Sequence, residues 1–122
     1  MRIISGSHKG RKINAPKNLP VRPTTDRAKE ALFNILSNKY DLGSQDVLDL
    51  FSGTGNISFE FASRNTQNII AVDKNNKCVN FIKETSKNLN LNINTILSDA
   101  LVFIKKTERK FDIIFADPPY NC

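Results

Sequence analysis

The chain has 122 residues, of which 39% are hydrophobic and 25% are charged, and its formal net charge is +6. This length and composition predict one globular domain with its own core. No apolar stretch is long enough to cross a bilayer, and the N-terminus lacks the apolar segment of a signal peptide. The two cysteines, Cys78 and Cys122, have neither the spacing of a metal site nor that of a disulfide framework. We therefore expect a cytoplasmic protein without a membrane or metal-binding role.

The excess positive charge is confined to one end of the chain. Residues 1–30 contain eight Lys or Arg and two acids, whereas the remaining residues contain ten of each sign. A segregated basic segment is typical of proteins that contact a polyanion. The alternative is a solvated tail that only aids solubility, and the segment lacks the amphipathic pattern of a membrane-surface helix.

The N-terminal part predicts a hairpin, a linker and a helix. The β-prone runs "RIIS" and "RKINA" flank the turn "GSHKG" and predict a small basic hairpin. We interpret the histidine of this turn, His8, as solvent-exposed, with a polyanion contact as the alternative. The segment "PKNLPVRP" predicts a linker, and "TTDRAKEALFNILSN" predicts a helix capped by Thr24 or Thr25. Its expected apolar face consists of Ala28, Ala31, Leu32, Ile35 and Leu36.

From about residue 46 the pattern changes to short apolar strands that alternate with helices. The predicted strands are "VLDLF", "NIIAVD", "INTILSD" and "FDIIFAD", and the predicted helices between them are "NISFEFASR", "NNKCVNFIKETSKNLN" and "ALVFIKKTE". Such alternation is typical of βαβ units with a parallel sheet. The strands are apolar without polar alternation, as expected when helices cover both faces.

Each predicted strand carries an acid at or near its carboxyl end, at the edge where parallel sheets bind their ligands. These acids are Asp49, Asp73, Asp99 and Asp117. A helix N-cap is the alternative role for any one of them, and most clearly for Asp99. Together they predict a ligand site at the carboxyl edge of the sheet.

The turn "DLFSGTGNIS" after the first strand is rich in glycine, which allows a sharp bend and close approach to a ligand. It lacks the third glycine of a dinucleotide fingerprint and the Gly-Lys-Ser/Thr of a phosphate-binding loop. Asp73 lies eighteen residues after Gly55, where its carboxylate can accept hydrogen bonds from ribose hydroxyls. The pattern therefore suits any ligand that contains adenosine, without identifying one.

The segment "FADPPY" places an acid and an aromatic ring around two consecutive prolines. The prolines fix the backbone, so the Asp117 carboxylate and the Pro118 carbonyl can be aimed at the N–H bonds of an exocyclic base amine. Tyr120 can stack on a base taken out of its helix. A strand-ending turn with a half-buried tyrosine is the alternative interpretation.

The chain resembles S-adenosylmethionine-dependent methyltransferases that modify base amines, whose motifs look like "LDLFSGTG" and "DPPY". Together with "MRIISGSHKGRKI" and "RPTTDRAKEALFNIL", these motifs resemble the RsmD family over essentially the whole chain. The resemblance implies a Rossmann-like fold, preceded by the basic hairpin and the helix. It also implies methylation of the N2 amine of a guanine in 16S ribosomal RNA, free or in the small-subunit particle.

The resemblance further implies a role for individual residues. The cofactor site would consist of Thr24, Asp49, Ser52, Gly53, Thr54, Gly55, Asp73, Asp99 and Ala100. Asp117, Pro118, Pro119 and Tyr120 would hold the guanine. Phosphates of the RNA would bind Lys9, Arg11, Lys12, Arg22 and Arg27. No metal ion and no covalent enzyme intermediate are implied.

We expect residues 1–20 to form the hairpin and linker, and residues 21–122 to form the N-terminal part of the methyltransferase domain. Members of the family are longer, with further strands after the "DPPY" strand, so we interpret the chain as truncated. On its own it would bind the cofactor weakly, associate and turn over poorly. The alternatives are a DNA adenine-N6 methyltransferase and an inactive fragment that binds the cofactor or RNA.

Overall fold

The structure is a computed structural model and describes residues 1–19 and 24–118. The described residues contain four α-helices, one short 3₁₀ helix (Leu42–Ser44) and four strands, and strands and α-helices alternate strictly from the first strand onward. The helices are α1 (Asp26–Lys39), α2 (Asn56–Ser63), α3 (Asn76–Leu89) and α4 (Ala100–Lys106). The strands are β1 (Asp46–Leu50), β2 (Asn68–Asp73), β3 (Asn94–Leu97) and β4 (Ile113–Ala116).

The four strands form one parallel sheet in the order β3-β2-β1-β4. Strand β1 is therefore central, with Leu50 opposite Val72 of β2 and opposite Ala116 of β4. This arrangement confirms the predicted α/β class and its Rossmann-like character. Within the described residues, no helix has the length and apolarity that crossing a membrane requires.

Both faces of the sheet are covered, which explains why its central strands lack polar alternation. On one face, Val47 and Ile69 pack with α1 and α2 through Phe33 and Phe61. The rings of those two phenylalanines meet edge to face, with centroids 4.7 Å apart. The other face packs against the start of α4; its buried members are Leu48, Leu50, Ile70, Val72 and Ala100.

Helix α1 begins where the sequence predicts, because the Thr25 hydroxyl accepts a hydrogen bond from the Ala28 amide. Its predicted apolar face is wrong in part, since Ala28, Ala31 and Ile35 are exposed. The side chains that α1 buries are Lys29 and Phe33. The helix is turned so that Lys29 meets a buried carboxylate, which the apolar pattern does not reveal.

Residues 1–19, hereafter the arm, contain the predicted hairpin. Arg2 and Lys12 form an antiparallel bridge, and the Met1 carbonyl accepts from the Ile13 amide. Ile3 and Ile13 are buried with side chains of the sheet and of α2 and α3. The hairpin therefore shares a core with the rest of the protein.

The turn of the hairpin is fastened to the end of α2. The Ser63 hydroxyl donates to the Ser5 carbonyl at 2.7 Å and accepts from the His8 amide at 3.0 Å. His8 is half-buried, with Nε2 2.7 Å from the Leu89 carbonyl oxygen, so our interpretation of it as an exposed turn residue is wrong. Its ring joins the hairpin to the C-terminal end of α3.

Candidate functional site

A cavity of about 1280 Å³ opens at the carboxyl edge of the sheet, between the strand ends and the arm. Ten of the residues predicted for the cofactor site and the guanine site line it, namely Thr24, Asp49, Ser52, Gly53, Thr54, Asp73, Asp99, Ala100, Asp117 and Pro118. The volume exceeds the range of about 300–1,000 Å³ that is usual for one small ligand. The cavity therefore has room for a nucleoside-sized ligand together with a second planar group.

The glycine-rich loop between β1 and α2 is held by Asp73. The Gly53 amide donates to Asp73 Oδ2 and the Asn75 amide donates to Oδ1, both at 2.8 Å. Gly53 has a positive φ of 55°, which glycine adopts without strain. Each carboxylate oxygen has a further lone pair, so Asp73 can fix the loop and still accept from a ligand hydroxyl.

Gly55 lies behind the loop and is not part of the cavity lining. It caps α2 in the left-handed conformation, with φ 86°. A Cβ atom at this position would lie 2.9 Å from side-chain carbons of Ile82 and Phe59. The structure therefore gives Gly55 a packing role, in which the absence of a side chain lets α2 approach α3.

Asp49 is the most buried acid of the site. Its side chain is 1% exposed, and the Ser58 hydroxyl donates to Oδ2 at 2.6 Å. Burial raises the pKa of Asp49 to about 7, and the negative charges of Asp73 and Asp117 add to the rise. The bonds from Ser58 oppose this shift. Asp49 is thus an acid whose charge changes near neutral pH at the floor of the cavity.

A buried hydroxyl in the cavity wall fits a polar ligand. Ser52 is 9% exposed, and its Oγ meets no hydrogen-bond partner within the described part of the chain. Buried polar atoms are nearly always hydrogen-bonded, so such an atom on a cavity wall is a position that a ligand can satisfy. Together with the carboxylates of Asp73 and Asp99, Ser52 gives the cavity the donor and acceptor set that an adenosine-containing cofactor requires.

Asp99 has the N-cap role that we considered as its alternative, and it also lines the cavity. Its Oδ1 accepts from the amides of Leu101 and Val102, at 3.0 and 3.2 Å. Both bonds use the same oxygen, so Oδ2 is available to a ligand amine. Ala100, the first residue of α4, lies beside it in the lining.

Asp117 and Pro118 line the cavity directly after β4. Because β4 pairs with β1, they face the carboxyl end of the strand that carries Asp49. Pro119, Tyr120 and Arg22 lie outside the described residues, so their expected roles stay predictions. Within those residues, no three His, Cys, Asp or Glu side chains are grouped so that they could hold a metal ion.

The described basic residues that we singled out are exposed and do not line the cavity. Lys9, Arg11 and Lys12 lie on the hairpin, and Arg27 lies on the first turn of α1. None of the four pairs with an acid among the described residues, whereas Arg2 pairs with Asp26 at 3.4 Å. They therefore present unneutralised positive charge to the solvent.

The arm supplies a wall of the cavity that the sequence did not predict. The lining residues of this wall are Met1, Ile13, Asn14, Ala15 and Lys17. The Thr54 hydroxyl of the glycine-rich loop also donates to the Met1 sulfur at 3.4 Å. The buried Ile3 and Ile13 gave a strand signal, but no local pattern showed which surface that strand would cover.

A family profile with the description "Conserved hypothetical protein 95" matches residues 1–122. A relative from Buchnera aphidicola subsp. Acyrthosiphon pisum, named ribosomal RNA small subunit methyltransferase D, is 43% identical over 98% of this chain and 62% of its own length. The putative rRNA methyltransferase YlbH of Bacillus subtilis is 39% identical over 99% of this chain and 67% of its own length. The chain thus spans about two thirds of the length of these relatives.

Solved structures of two proteins named as methyltransferases also match this chain. A putative methyltransferase from Escherichia coli, yhhF, superposes with a TM-score of 0.86 at 29% identity, over 98% of this chain and 64% of that one. A more distant structure, coclaurine N-methyltransferase bound to N-methylheliamine and S-adenosylhomocysteine, gives 0.59 at 27% identity. The latter match covers 75% of this chain and 27% of that one.

Proposed function

Because this chain belongs to the family described as Conserved hypothetical protein 95, the RsmD family, we propose that it methylates the N2 amine of a guanine in 16S ribosomal RNA. The methyl donor would be S-adenosylmethionine. Two of its relatives are named as a ribosomal RNA small subunit methyltransferase and as a putative rRNA methyltransferase, and these names support RNA as the substrate.

One observation carries the proposal, namely that a single cavity joins a nucleoside-type site to the acid of the "DPPY" motif. Asp73 and the glycine-rich loop lie on one side of β1, and Asp117 lies on the other, because β1 pairs with both β2 and β4. A methyl donor held beside Asp73 and an amine held beside Asp117 would meet above the end of β1. Proximity of this kind is a major source of rate acceleration.

The residues of the cavity fit the cofactor, which supplies an electrophilic methyl group when bound. Asp73 would accept from the ribose hydroxyls while it holds the Gly53 amide. Asp99 would accept from the adenine amine through its available oxygen, and Ser52 would find the partner that it lacks in this part of the chain.

Asp117 and Pro118 would hold the amine that is methylated. The lone pair of an exocyclic amine is delocalised into the base, which makes it a poor nucleophile. Oxygen acceptors that bond to its N–H groups draw electron density toward nitrogen and stabilise the positive charge that develops there. The stiff proline after Asp117 keeps these acceptors in place at small entropic cost.

The arm would bind the RNA backbone. Lys9, Arg11 and Lys12 are exposed on the hairpin and carry no neutralising partner among the described residues. Phosphate contacts of this kind give affinity and orientation, whereas the choice of base comes from the pocket.

Mass spectrometry of modified nucleosides tests the reaction, the base and the substrate together. We would delete the gene in its host, digest the 16S ribosomal RNA and compare it with RNA from the parent strain. The expected result is the loss of one N2-methylguanosine, with adenine methylation of DNA unchanged. Loss of N6-methyladenine from DNA, with ribosomal RNA unchanged, would instead identify a DNA methyltransferase.

Rescue of the deletion strain separates catalysis from binding. A gene with Asp117→Ala should fail to restore the modification, because the variant has no side-chain acceptor for the amine. Glu84→Ala, which removes an exposed acid on α3, is the matched control and should restore it fully. Full restoration by Asp117→Ala would contradict the role of Asp117, and unchanged RNA and DNA in the deletion strain would indicate an inactive binding protein.

A further inference from the structure

The arm and the glycine-rich loop are joined by a buried polar node, which consists of Lys29, Asn56 and Glu60. Lys29 Nζ donates to Asn56 Oδ1 at 2.7 Å and lies 3.1 Å from Glu60 Oε1. The Lys29 side chain is 1% exposed and that of Glu60 is 0% exposed. An ion pair so far from water needs a full set of hydrogen-bond partners, and the node obtains most of them from the arm.

Three backbone groups of the arm bond to this node. Lys29 Nζ donates to the Arg2 carbonyl at 2.7 Å, and the two carboxylate oxygens of Glu60 accept from the amides of Ile4 and Ser5. These bonds come from the first strand of the hairpin. Lys29 and Glu60 therefore help to hold the start of the arm on the protein, in addition to the contacts of its turn and of its buried isoleucines.

Asn56 connects the same node to the cavity. It is the first residue of α2, directly after the glycine-rich loop, and it lines the cavity. Its Nδ2 donates to the Thr24 carbonyl at 3.3 Å while its Oδ1 accepts from Lys29. Thr24 also lines the cavity, so the side chain of a residue that directly follows the loop connects the start of α1 with Lys29 and, through Lys29, with the arm.

We propose that Asn56 is a positioning residue, which acts with Lys29 to couple cofactor binding in the cavity to polyanion binding on the arm. Asn56 and Lys29 help to fix the docked position of the arm, which a ligand in the cavity would contact from one side and RNA would contact from the other. Two ligands that both favour this position of the arm strengthen the binding of each other. This inference rests on the proposed function, because it assumes a cofactor in the cavity and RNA on the arm.

Calorimetry measures the coupling directly. We would determine the affinity of S-adenosylhomocysteine with and without a saturating single-stranded RNA oligonucleotide at low salt. In the wild-type protein, RNA should tighten S-adenosylhomocysteine binding by about fivefold or more, and S-adenosylhomocysteine should tighten RNA binding by the same factor. In Asn56→Ala the coupling factor should fall to near one, whereas Asn80→Ala, at an exposed position of α3, should keep the wild-type factor.

Hydrogen exchange on the unchanged protein provides a test that does not depend on the folding of a variant. S-adenosylhomocysteine should slow exchange of the Ile4 and Ser5 amides, which bond to Glu60, in addition to that of the Gly53 amide in the loop. Protection confined to the loop would overturn the inference.

The outcomes separate the two proposals. If S-adenosylhomocysteine and RNA both bind but neither affects the other, the coupling is refuted and the proposed function stands. If Asn56→Ala keeps the wild-type coupling factor, Asn56 is not the positioning residue. If S-adenosylhomocysteine shows not even weak binding, the cofactor role of the cavity fails and this inference fails with it, whereas the deletion experiment tests the proposed function independently.

Discussion

Lys29 and Glu60 form an ion pair that is almost completely shielded from solvent, with Lys29 Nζ 3.1 Å from Glu60 Oε1. Burial lowers the pKa of Lys29, although the carboxylate beside it opposes this shift. Burial also disfavours the charged form of Glu60, but the bonds from Ile4, Arg64 and Lys29 outweigh that effect and lower its pKa. The pair therefore connects the arm, α1 and α2, because the groups that stabilise its two charges come from all three.

Replacement of Lys29 by methionine should destabilise the protein strongly. The change leaves the Glu60 carboxylate buried with Arg64 and two amides as its remaining partners, and loss of one member of a buried pair costs about 3 kcal/mol or more. Urea unfolding measures the loss. Lys39→Met, at the exposed end of the same helix, is the control and should change the free energy of unfolding by less than about 0.5 kcal/mol. Equal effects of the two substitutions would show that the pair contributes nothing specific.

Two glycines of the hairpin turn offer a matched test of how the arm is docked. Gly6 and Gly10 both have positive φ, 90° and 82°, so alanine meets a similar backbone cost of about 1–2 kcal/mol at either position. A Cβ at Gly6 would lie 2.0 Å from the Ser63 carbonyl oxygen, whereas one at Gly10 meets nothing within 4 Å. Gly6→Ala alone should therefore lift the turn from α2 and accelerate hydrogen exchange at Ser7, whose amide bonds to that oxygen. Similar exchange in both variants would refute this docking.

Gly55→Ala should destabilise the protein by about 2–4 kcal/mol, because a left-handed residue and an overpacked contact are combined. The clash with Ile82 and Phe59 involves side chains of the core, so relief requires α2 to move. Gly43→Ala is the control, since its Cβ would meet its nearest neighbour at an ordinary 3.5 Å. Unfolding by urea compares the two, and a loss of less than 1 kcal/mol at Gly55 would contradict the packing role that we assign to it.

Asp49 should make the protein less stable as pH rises from about 4 to 7. Its pKa is raised from the ordinary value of 3.8 to about 7. In this range the folded state keeps a proton that the unfolded state releases, so the free energy of unfolding falls by up to about 1.4 kcal/mol per pH unit. Below about pH 4 the stabilisation by protonated Asp49 is fully present, and above about pH 7 it is lost.

Asp49→Asn should flatten that slope, because the amide cannot ionise and can still accept from Ser58. The measurement is a series of urea titrations between pH 4 and pH 8. Glu84→Gln, at an exposed site, should leave the slope unchanged. The pKa of Glu60 is lowered from its ordinary value of 4.5, so its protonation changes the free energy of unfolding mainly below pH 4.5. Glu60 therefore does not mask the slope that Asp49 causes. A wild-type profile without a downward slope would contradict the buried, protonated state of Asp49.

The site was largely predictable because of how parallel sheets are built. Asp49, Asp73 and Asp117 each follow an apolar run, and parallel strands bring their carboxyl ends to one edge. The strands were also predictable, because strands of a sheet that is covered on both faces are apolar along their length. Strand β2 has the bounds that the sequence predicts. No knowledge of packing was required for these conclusions.

The face of α1 could not be predicted in this way. Apolar periodicity placed Ile35 inside and gave no reason to bury Lys29, yet Ile35 is 64% exposed and Lys29 is 1% exposed. The cause is Glu60, which lies on a different helix and is itself buried. A partner distant in sequence leaves no local pattern, and the docking of the arm on α2 and α3 was missed for the same reason.

The strand order also sets the time at which the site can be completed during synthesis. Val47 of β1 pairs with Ile113 of β4, although β2, β3 and three helices are translated between them. Pairings between distant residues form late, because the intervening chain must be ordered first. A nascent chain therefore has its glycine-rich loop and Asp73 well before Asp117 arrives. If the proposed function holds, the ability to hold the methyl donor would therefore precede the ability to hold the base amine during synthesis.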